Sequence, residues 1–203
     1  MVSALLLSSA VLGVLGGARH ALEPDHVAAI CTLVAERPTF SDTTRYALWW
    51  SAGHSAVLAL ASAGLLTLRM QLPSIFSVRA EQAVALVLIG LGLRALWRAR
   101  SGTQHTPSAP TATRARMPFA IGILHGMAGS GAFTVWLAGA AASLASAAWV
   151  VGTYALGMAL GMCAAALLAR RAFVQLGRHA LQRALALSGG VSLAVGLWWL
   201  SAQ

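Results

Sequence analysis

Lysine is missing from this sequence, and acidic residues are scarce. The chain of 203 residues has 14 basic residues, all of them arginine, and only five aspartates and glutamates. Charged residues make up 9% of the chain and apolar residues 58%, with a mean hydropathy of +0.74. This composition excludes an ordinary soluble domain and indicates an all-α polytopic membrane protein.

Other absences narrow the function. No Walker A loop is present, so the chain is not itself an ATPase, and we expect a protein that is not an enzyme. The two cysteines, Cys31 and Cys163, lie in apolar segments, which favours small buried side chains over a redox pair. The net charge of +9 comes from arginines at the ends of apolar runs. That placement indicates membrane topology rather than nucleic-acid binding.

Six apolar segments have about the length of ~20 residues that a bilayer requires. The first is too long for one straight span. No basic region precedes it, so we expect a mature membrane helix rather than a signal peptide. The segments are approximately residues 3–35, 46–68, 79–97, 117–141, 147–169 and 182–201.

Arginine placement predicts the orientation in the membrane. Eleven arginines fall in or beside the loops that follow the first, third and fifth segments, and only Arg69 and Arg79 lie on the opposite side. The positive-inside rule then places both termini outside the inner (plasma) membrane. Tryptophans are expected to mark the two interfaces, with Trp49, Trp50 and Trp97 at the inner one and Trp136, Trp149, Trp198 and Trp199 at the outer one.

A weak internal repeat divides the chain into two halves. His20 matches His125, Gly53 matches Gly157 and Trp97 matches Trp198, at separations of 105, 104 and 101 residues. Three spans in each half predict two inverted three-helix repeats, an architecture of transporters. The halves are residues 1–98 and 117–203, joined by a polar cytoplasmic linker over 99–116. Chance similarity between Gly/Ala-rich segments is the alternative.

The polar segment His20–His26 interrupts an otherwise uncharged apolar region. Ionisable groups at membrane depth are costly and mark functional sites. At about 100° per residue, His20, Asp25 and His26 cannot face one ion from an unbroken helix, so we predict a break near Pro24. Imidazole with carboxylate suits nickel, cobalt or zinc better than calcium or magnesium. The alternative is a helix end with Arg19 and Glu23 as an ion pair.

Two further histidines lie inside apolar segments. His54 follows Ala52-Gly53, and no nearby acidic residue is available to pair with it, so a ligand role and a packing role both stay open. His125 is followed by three glycines within six residues, which favours either exposed carbonyls or a helix-packing seam. We take both histidines as metal ligands, with Glu23, Ser55 and Ser130 along the pathway. His105 and His179 are expected to be solvated loop residues.

These motifs resemble a known family. His20-x4-Asp25-His26 is similar to the signature of the nickel/cobalt transporter family, and Ala-Gly-His-Ser around His54 to its second histidine motif. The segment from His125 to Gly131 resembles a shorter branch, often called urease accessory protein H-like or high-affinity nickel transport proteins. The resemblance implies a permease in which His20, Asp25 and His26 select Ni²⁺ or Co²⁺. Larger members have eight spans, and Glu23-Pro24 replaces the frequent Asp-Ala.

The predicted function is therefore uptake of a divalent transition metal, Ni²⁺ or Co²⁺, as a transported substrate and without a cofactor. The expected partners are the metal ion and the lipid bilayer, with no nucleic acid. Gly/Ala-rich packing allows a homo-oligomer, and a nickel-enzyme maturation system is a further candidate partner. Three alternatives stay open: a metal exporter with the same site, a membrane thiol–disulfide electron carrier, and a non-transporting metal chaperone.

Overall fold

The computed structural model describes residues 2–34, 39–68, 74–101, 116–128 and 143–202. Within these ranges the chain is all-helical, as predicted. The seven helices are α1 (Val2–His20), α2 (Pro24–Val34), α3 (Phe40–Leu68), α4 (Ser74–Ser101), α5 (described over residues 116–128), α6 (Leu144–Val174) and α7 (Arg178–Ser201). The predicted linker lies mostly outside the described residues.

The helices extend beyond the apolar segments because polar residues cap them. α3 begins six residues before the apolar segment at 46, where Thr39 Oγ1 accepts a hydrogen bond of 3.0 Å from the backbone N–H of Asp42. α6 begins with a reciprocal capping box between Ser143 and Ser146. Side-chain caps satisfy the first free N–H groups of a helix, so a helix can begin in polar surroundings that hydropathy does not detect.

The predicted break in the first apolar segment is present between α1 and α2. α1 ends at His20, and the turn residues donate backbone hydrogen bonds to the carbonyls of Gly17, Arg19 and His20. Pro24 is the first residue of α2. Proline suits this position because its missing N–H would be unpaired there anyway, while it disfavours helical geometry at the residue before it. The break therefore follows directly from the local sequence.

The outside of the helical assembly is apolar. Among the described residues, three helices are long and apolar enough to cross a membrane: Val78–Ser101, Leu144–Val174 and His179–Ser201. Large apolar side chains such as Leu168, Leu187 and Trp198 point outward and are more than half exposed. An outer surface of this kind suits lipid rather than water, so the molecule has the character of a membrane protein.

The short helix α2 is enclosed by the longer ones. Eight of its 11 residues are buried, and it contacts α4, α6 and α7. α1 and α3 both pack against α6, and α4 packs against α7. Asp25 and His26 are in the first turn of α2, so this arrangement buries both of them.

Glycines bring α3 and α5 into close contact. A methyl group at Gly53 would overlap the carbonyl oxygen of Phe119, and one at Gly122 would overlap that of Trp50. At Gly126 a methyl group would lie 2.9 Å from the His54 carbonyl oxygen. Small residues allow such backbone approach between membrane helices. The contact places His54 of α3 beside the turn of α5 that holds His125.

Candidate metal site

Four histidines from four helices meet around the start of α2. The ring centroids of His20 and His26 are 4.8 Å apart, those of His20 and His54 4.9 Å, and those of His26 and His125 5.1 Å. The α1–α2 turn brings His20 and His26 together, which an unbroken helix would not do. All five residues predicted as metal ligands, Asp25 included, therefore lie in one cluster.

Three of these histidines have the spacing of a metal-ligand set. His20, His26 and His54 each offer a ring nitrogen within 4.8 Å of the others. The Nε2 atoms of His20 and His54 are 3.2 Å apart. Two imidazole nitrogens bound at about 2.0–2.1 Å to a tetrahedral ion lie about 3.3 Å apart, so this pair already has nearly that separation.

Neighbouring groups orient two of the rings. Nδ1 of His20 lies 3.0 Å from the Glu23 carboxylate, and Nδ1 of His125 lies 3.0 Å from the Ile121 carbonyl oxygen. Nδ1 of His125 donates its proton to the carbonyl oxygen, so its Nε2 keeps a lone pair, and the Glu23 carboxylate favours the proton of His20 on Nδ1 as a close electrostatic contact. This pattern, in which a metal-binding histidine donates its other N–H to a carboxylate or carbonyl, is usual around metal ions.

Asp25 lies directly beside His26. Its carboxylate oxygen is 3.1 Å from His26 Nδ1, and the two side chains are 5% and 2% exposed. The contact is electrostatic, because neither ring nitrogen of His26 has a partner with hydrogen-bond geometry among the described residues. A carboxylate in this position can neutralise a bound cation as well as orient the imidazole.

The cluster contains several buried nitrogens without hydrogen-bond partners. Besides both ring nitrogens of His26, Nδ1 of His54 and Nε2 of His125 have no partner among the described residues. Leaving a buried polar atom unpaired costs about 1–3 kcal/mol. Several such atoms in one place need an explanation, and a bound cation that accepts the lone pairs of the ring nitrogens would provide one.

Aromatic rings form one wall of the cluster. Trp50 is fully buried, stacks on His26 at 5.9 Å with an interplanar angle of 17°, and contacts His125 at 5.0 Å. The prediction that Trp50 marks the membrane interface is therefore wrong. It rested on the apolar segment starting at 46, whereas α3 starts at Phe40 and carries Trp50 well inside the assembly.

The sequence of the chain is similar to that of a curated protein. The chain is 28% identical over 141 residues to the urease accessory protein UreH of Bacillus sp. (strain TB-90). The alignment covers 64% of this chain and 62% of that protein. No protein-family model and no solved structure matches the chain. The match supports the resemblance to UreH-like proteins noted from the motifs, and the particular branch stays a prediction.

The remaining predicted residues are described in part. Ser55 follows His54 on α3 and is half-buried, while Ser130 and His105 lie outside the described residues. His179 is exposed at the start of α7. Cys31 and Cys163 are free thiols on α2 and α6.

Two contacts of the cluster do not follow from the sequence. The sequence predicts Trp50 at the interface, and its alternative interpretation pairs Glu23 with Arg19 rather than with His20. The sequence contains a signal for the Glu23 contact, because Glu23 is three positions after His20 at a helix end and its side chain can fold back towards that histidine. No local signal identified Trp50, since its contacts with His26 and His125 depend on how three helices pack.

Proposed function

We propose that this chain is a membrane permease for a divalent transition-metal cation, Ni²⁺ or Co²⁺. The observation that supports the proposal most strongly is the set of three ring nitrogens from His20, His26 and His54 within 4.8 Å of one another, buried between apolar helices. Imidazole ligands favour nickel, cobalt and zinc over the hard cations magnesium and calcium. The similarity to a urease accessory protein is compatible with nickel- or cobalt-related transport.

Each part of the cluster has a role in this proposal. His20, His26 and His54 bind the ion, and His125 is a fourth imidazole beside His26. Asp25 offsets the charge of the ion in a low-dielectric site, where an unpaired charge would be costly. Trp50 closes one side and excludes water. The metal is the transported substrate.

The inverted-repeat architecture belongs to this proposal, and helix contacts support it. Gly17 of α1 packs against the carbonyl oxygen of Tyr154 on α6, and Gly122 of α5 packs in the same way against that of Trp50 on α3. Gly122 follows Gly17 at a separation of 105 residues, as His125 follows His20. Tyr154 follows Trp50 at a separation of 104 residues, as Gly157 follows Gly53. A two-fold relation between halves produces such equivalent contacts.

Contacts between the last helices of the two halves also support the proposed two-fold relation. Gly92 packs against Gly189 and Leu193, and Gly196 packs against Ala85 and Ile89. A shift of 104 positions along the chain converts each of these two contact sets into the other. Ser192 and Leu88, which are joined by a buried hydrogen bond of 3.0 Å, are also 104 residues apart. The contact sets match Gly92 with Gly196, and this alignment replaces the predicted match of Trp97 with Trp198.

Transport in this proposal follows from the position of the site between the halves. His20 and His26 come from one half and His125 from the other, so rocking of the halves would open the cluster to alternate sides. Entry of a divalent cation is favoured by about 4.6 kcal/mol per 100 mV of inside-negative potential. The potential alone can therefore drive uptake, and we propose uptake into the cytoplasm across the inner membrane.

Reconstituted vesicles test this proposal. The purified chain in liposomes with an imposed inside-negative potential is expected to accumulate labelled Ni²⁺ or Co²⁺ above protein-free vesicles. Accumulation in whole cells that express the chain distinguishes uptake, which raises cellular metal, from export, which lowers it. Vesicles that bind Ni²⁺ without accumulating it would contradict the permease and indicate a metal chaperone.

A further inference from the structure

A second group of ligand-type side chains overlaps the histidine cluster. Glu23, Asp25 and His26 also offer three ligand atoms within 4.8 Å of one another. The only member shared with the group of His20, His26 and His54 is His26. Two acidic residues alone would not define a site. His26 is 1% exposed, and both its ring nitrogens lack hydrogen-bond partners among the described residues.

The two groups differ in exposure and in ligand chemistry. The Glu23 side chain is 48% exposed and that of His20 14%, whereas His54 is almost fully buried. The group with Glu23 has two carboxylates and one imidazole, and the other has three imidazoles. Carboxylates suit a cation that still holds water, whereas imidazoles bind borderline transition metals more strongly. The imidazole group therefore has the softer ligands, and the carboxylate group has the most exposed member, Glu23.

We infer that Glu23, Asp25 and His26 form a solvent-facing loading station for a divalent transition metal, from which the ion passes to His20, His26 and His54. This inference rests on the proposed function, because it describes how the transported ion reaches the buried imidazoles. In this transfer the two carboxylates are exchanged for two imidazoles, and His26 is the residue common to both ligand sets.

Glu23 has two successive roles in this transfer. In the loading station its carboxylate binds the ion. Once the ion has moved, the carboxylate favours the proton of His20 on Nδ1, through the electrostatic contact of 3.0 Å in the structure. That contact leaves the lone pair on His20 Nε2, the atom that faces His54. Because both stations need His26, the chain holds one ion in this region at a time.

The two roles of Glu23 can be separated by removing His20. In the variant His20→Ala/His54→Ala the imidazole station is lost, and Glu23 has no His20 ring to orient. Any effect of Glu23→Gln in that background must then come from direct binding of the metal. Glu81→Gln is the matched control, since Glu81 lies on α4 and belongs to neither ligand group.

The experiment measures Ni²⁺ binding to the purified full-length chain in detergent, with X-ray absorption to count imidazole ligands. Wild type is expected to bind one Ni²⁺ with about three imidazoles. His20→Ala/His54→Ala should still bind one Ni²⁺, with at most two imidazoles, those of His26 and His125, and otherwise oxygen ligands. Adding Glu23→Gln should weaken that binding at least tenfold, about the smallest loss seen when a supporting metal contact is removed, whereas adding Glu81→Gln should not.

Two results would overturn the loading station. One is a double variant that no longer binds Ni²⁺, and the other is equal affinity with and without Glu23. Glu23→Gln alone, a change at an exposed side chain, gives a second measurement in the wild-type background: it should slow Ni²⁺ association severalfold, and an unchanged rate would count against the station. If the wild type and the variants support both stations but wild-type vesicles take up no Ni²⁺, the proposed transport fails and the loading station remains.

Discussion

The hydrogen bonds of each histidine determine which nitrogen can bind a metal. With the Glu23 carboxylate favouring the proton of His20 on Nδ1, Nε2 of His20 is the acceptor, and in the contact of 3.2 Å between the two Nε2 atoms His54 is the donor. His54 must release or move that proton before Nε2 can bind an ion. Metal binding at this cluster is therefore coupled to proton movement.

Affinity for Ni²⁺ is expected to fall as the solution becomes more acidic. Protons compete with the metal for the imidazole lone pairs, so acidification removes ligands and weakens metal binding. Isothermal titration of the purified chain should show weaker binding at about pH 6 than at about pH 8, with protons released on binding. Affinity that is equal at both pH values would show that the imidazoles are not the ligands.

Trp50 should report on metal binding by its fluorescence. Its ring lies 5.9 Å from that of His26 and 5.0 Å from that of His125, so bound paramagnetic Ni²⁺ should quench its emission. Trp50→Phe is expected to abolish most of the quenching. Trp97→Phe is the control, because Trp97 is 64% exposed on the outside of α4 and should leave the quenching intact. Quenching that survives in Trp50→Phe would place the ion elsewhere.

At the scale of the helices, the local sequence predicts the features that depend only on neighbouring residues. The break at Pro24 follows from proline itself, and the helical segments follow from apolar length. The burial of Trp50 did not follow, because it depends on where α3 begins, and the Thr39–Asp42 cap that sets this start is polar. The contact between His26 and His125 could not be derived either, since it depends on glycine packing between distant helices.

The close packing of α3 on α5 should tolerate no side chain at Gly53. In Gly53→Ala the new methyl group would overlap the Phe119 carbonyl oxygen, and the separation of the helices would cost about 1–3 kcal/mol. Gly64→Ala on the same helix is the control, because a methyl group there meets nothing within 4 Å and improves helix propensity. Thermal unfolding in detergent measures both. Equal melting temperatures would contradict the packing.

At the scale of the whole molecule, two halves with equivalent contacts should respond alike to equivalent changes. Gly17→Ala and Gly122→Ala each force a methyl group against a carbonyl oxygen of a neighbouring helix, Tyr154 in one case and Trp50 in the other. We expect both to destabilise the protein by about 1–3 kcal/mol and to agree within about 1 kcal/mol. Gly152→Ala, with open space around it, should be neutral. A large effect in one half only would argue against the two-fold relation.

The proposed transport depends on histidines that approach one another from different helices. Uptake of labelled Ni²⁺ into vesicles tests this most directly, with wild type compared with His20→Ala and His26→Ala, and with the exposed His179→Ala as control. The proposal predicts that both cluster variants lose at least tenfold in uptake at low Ni²⁺ while His179→Ala transports normally. Normal transport by both His20→Ala and His26→Ala would contradict the proposal.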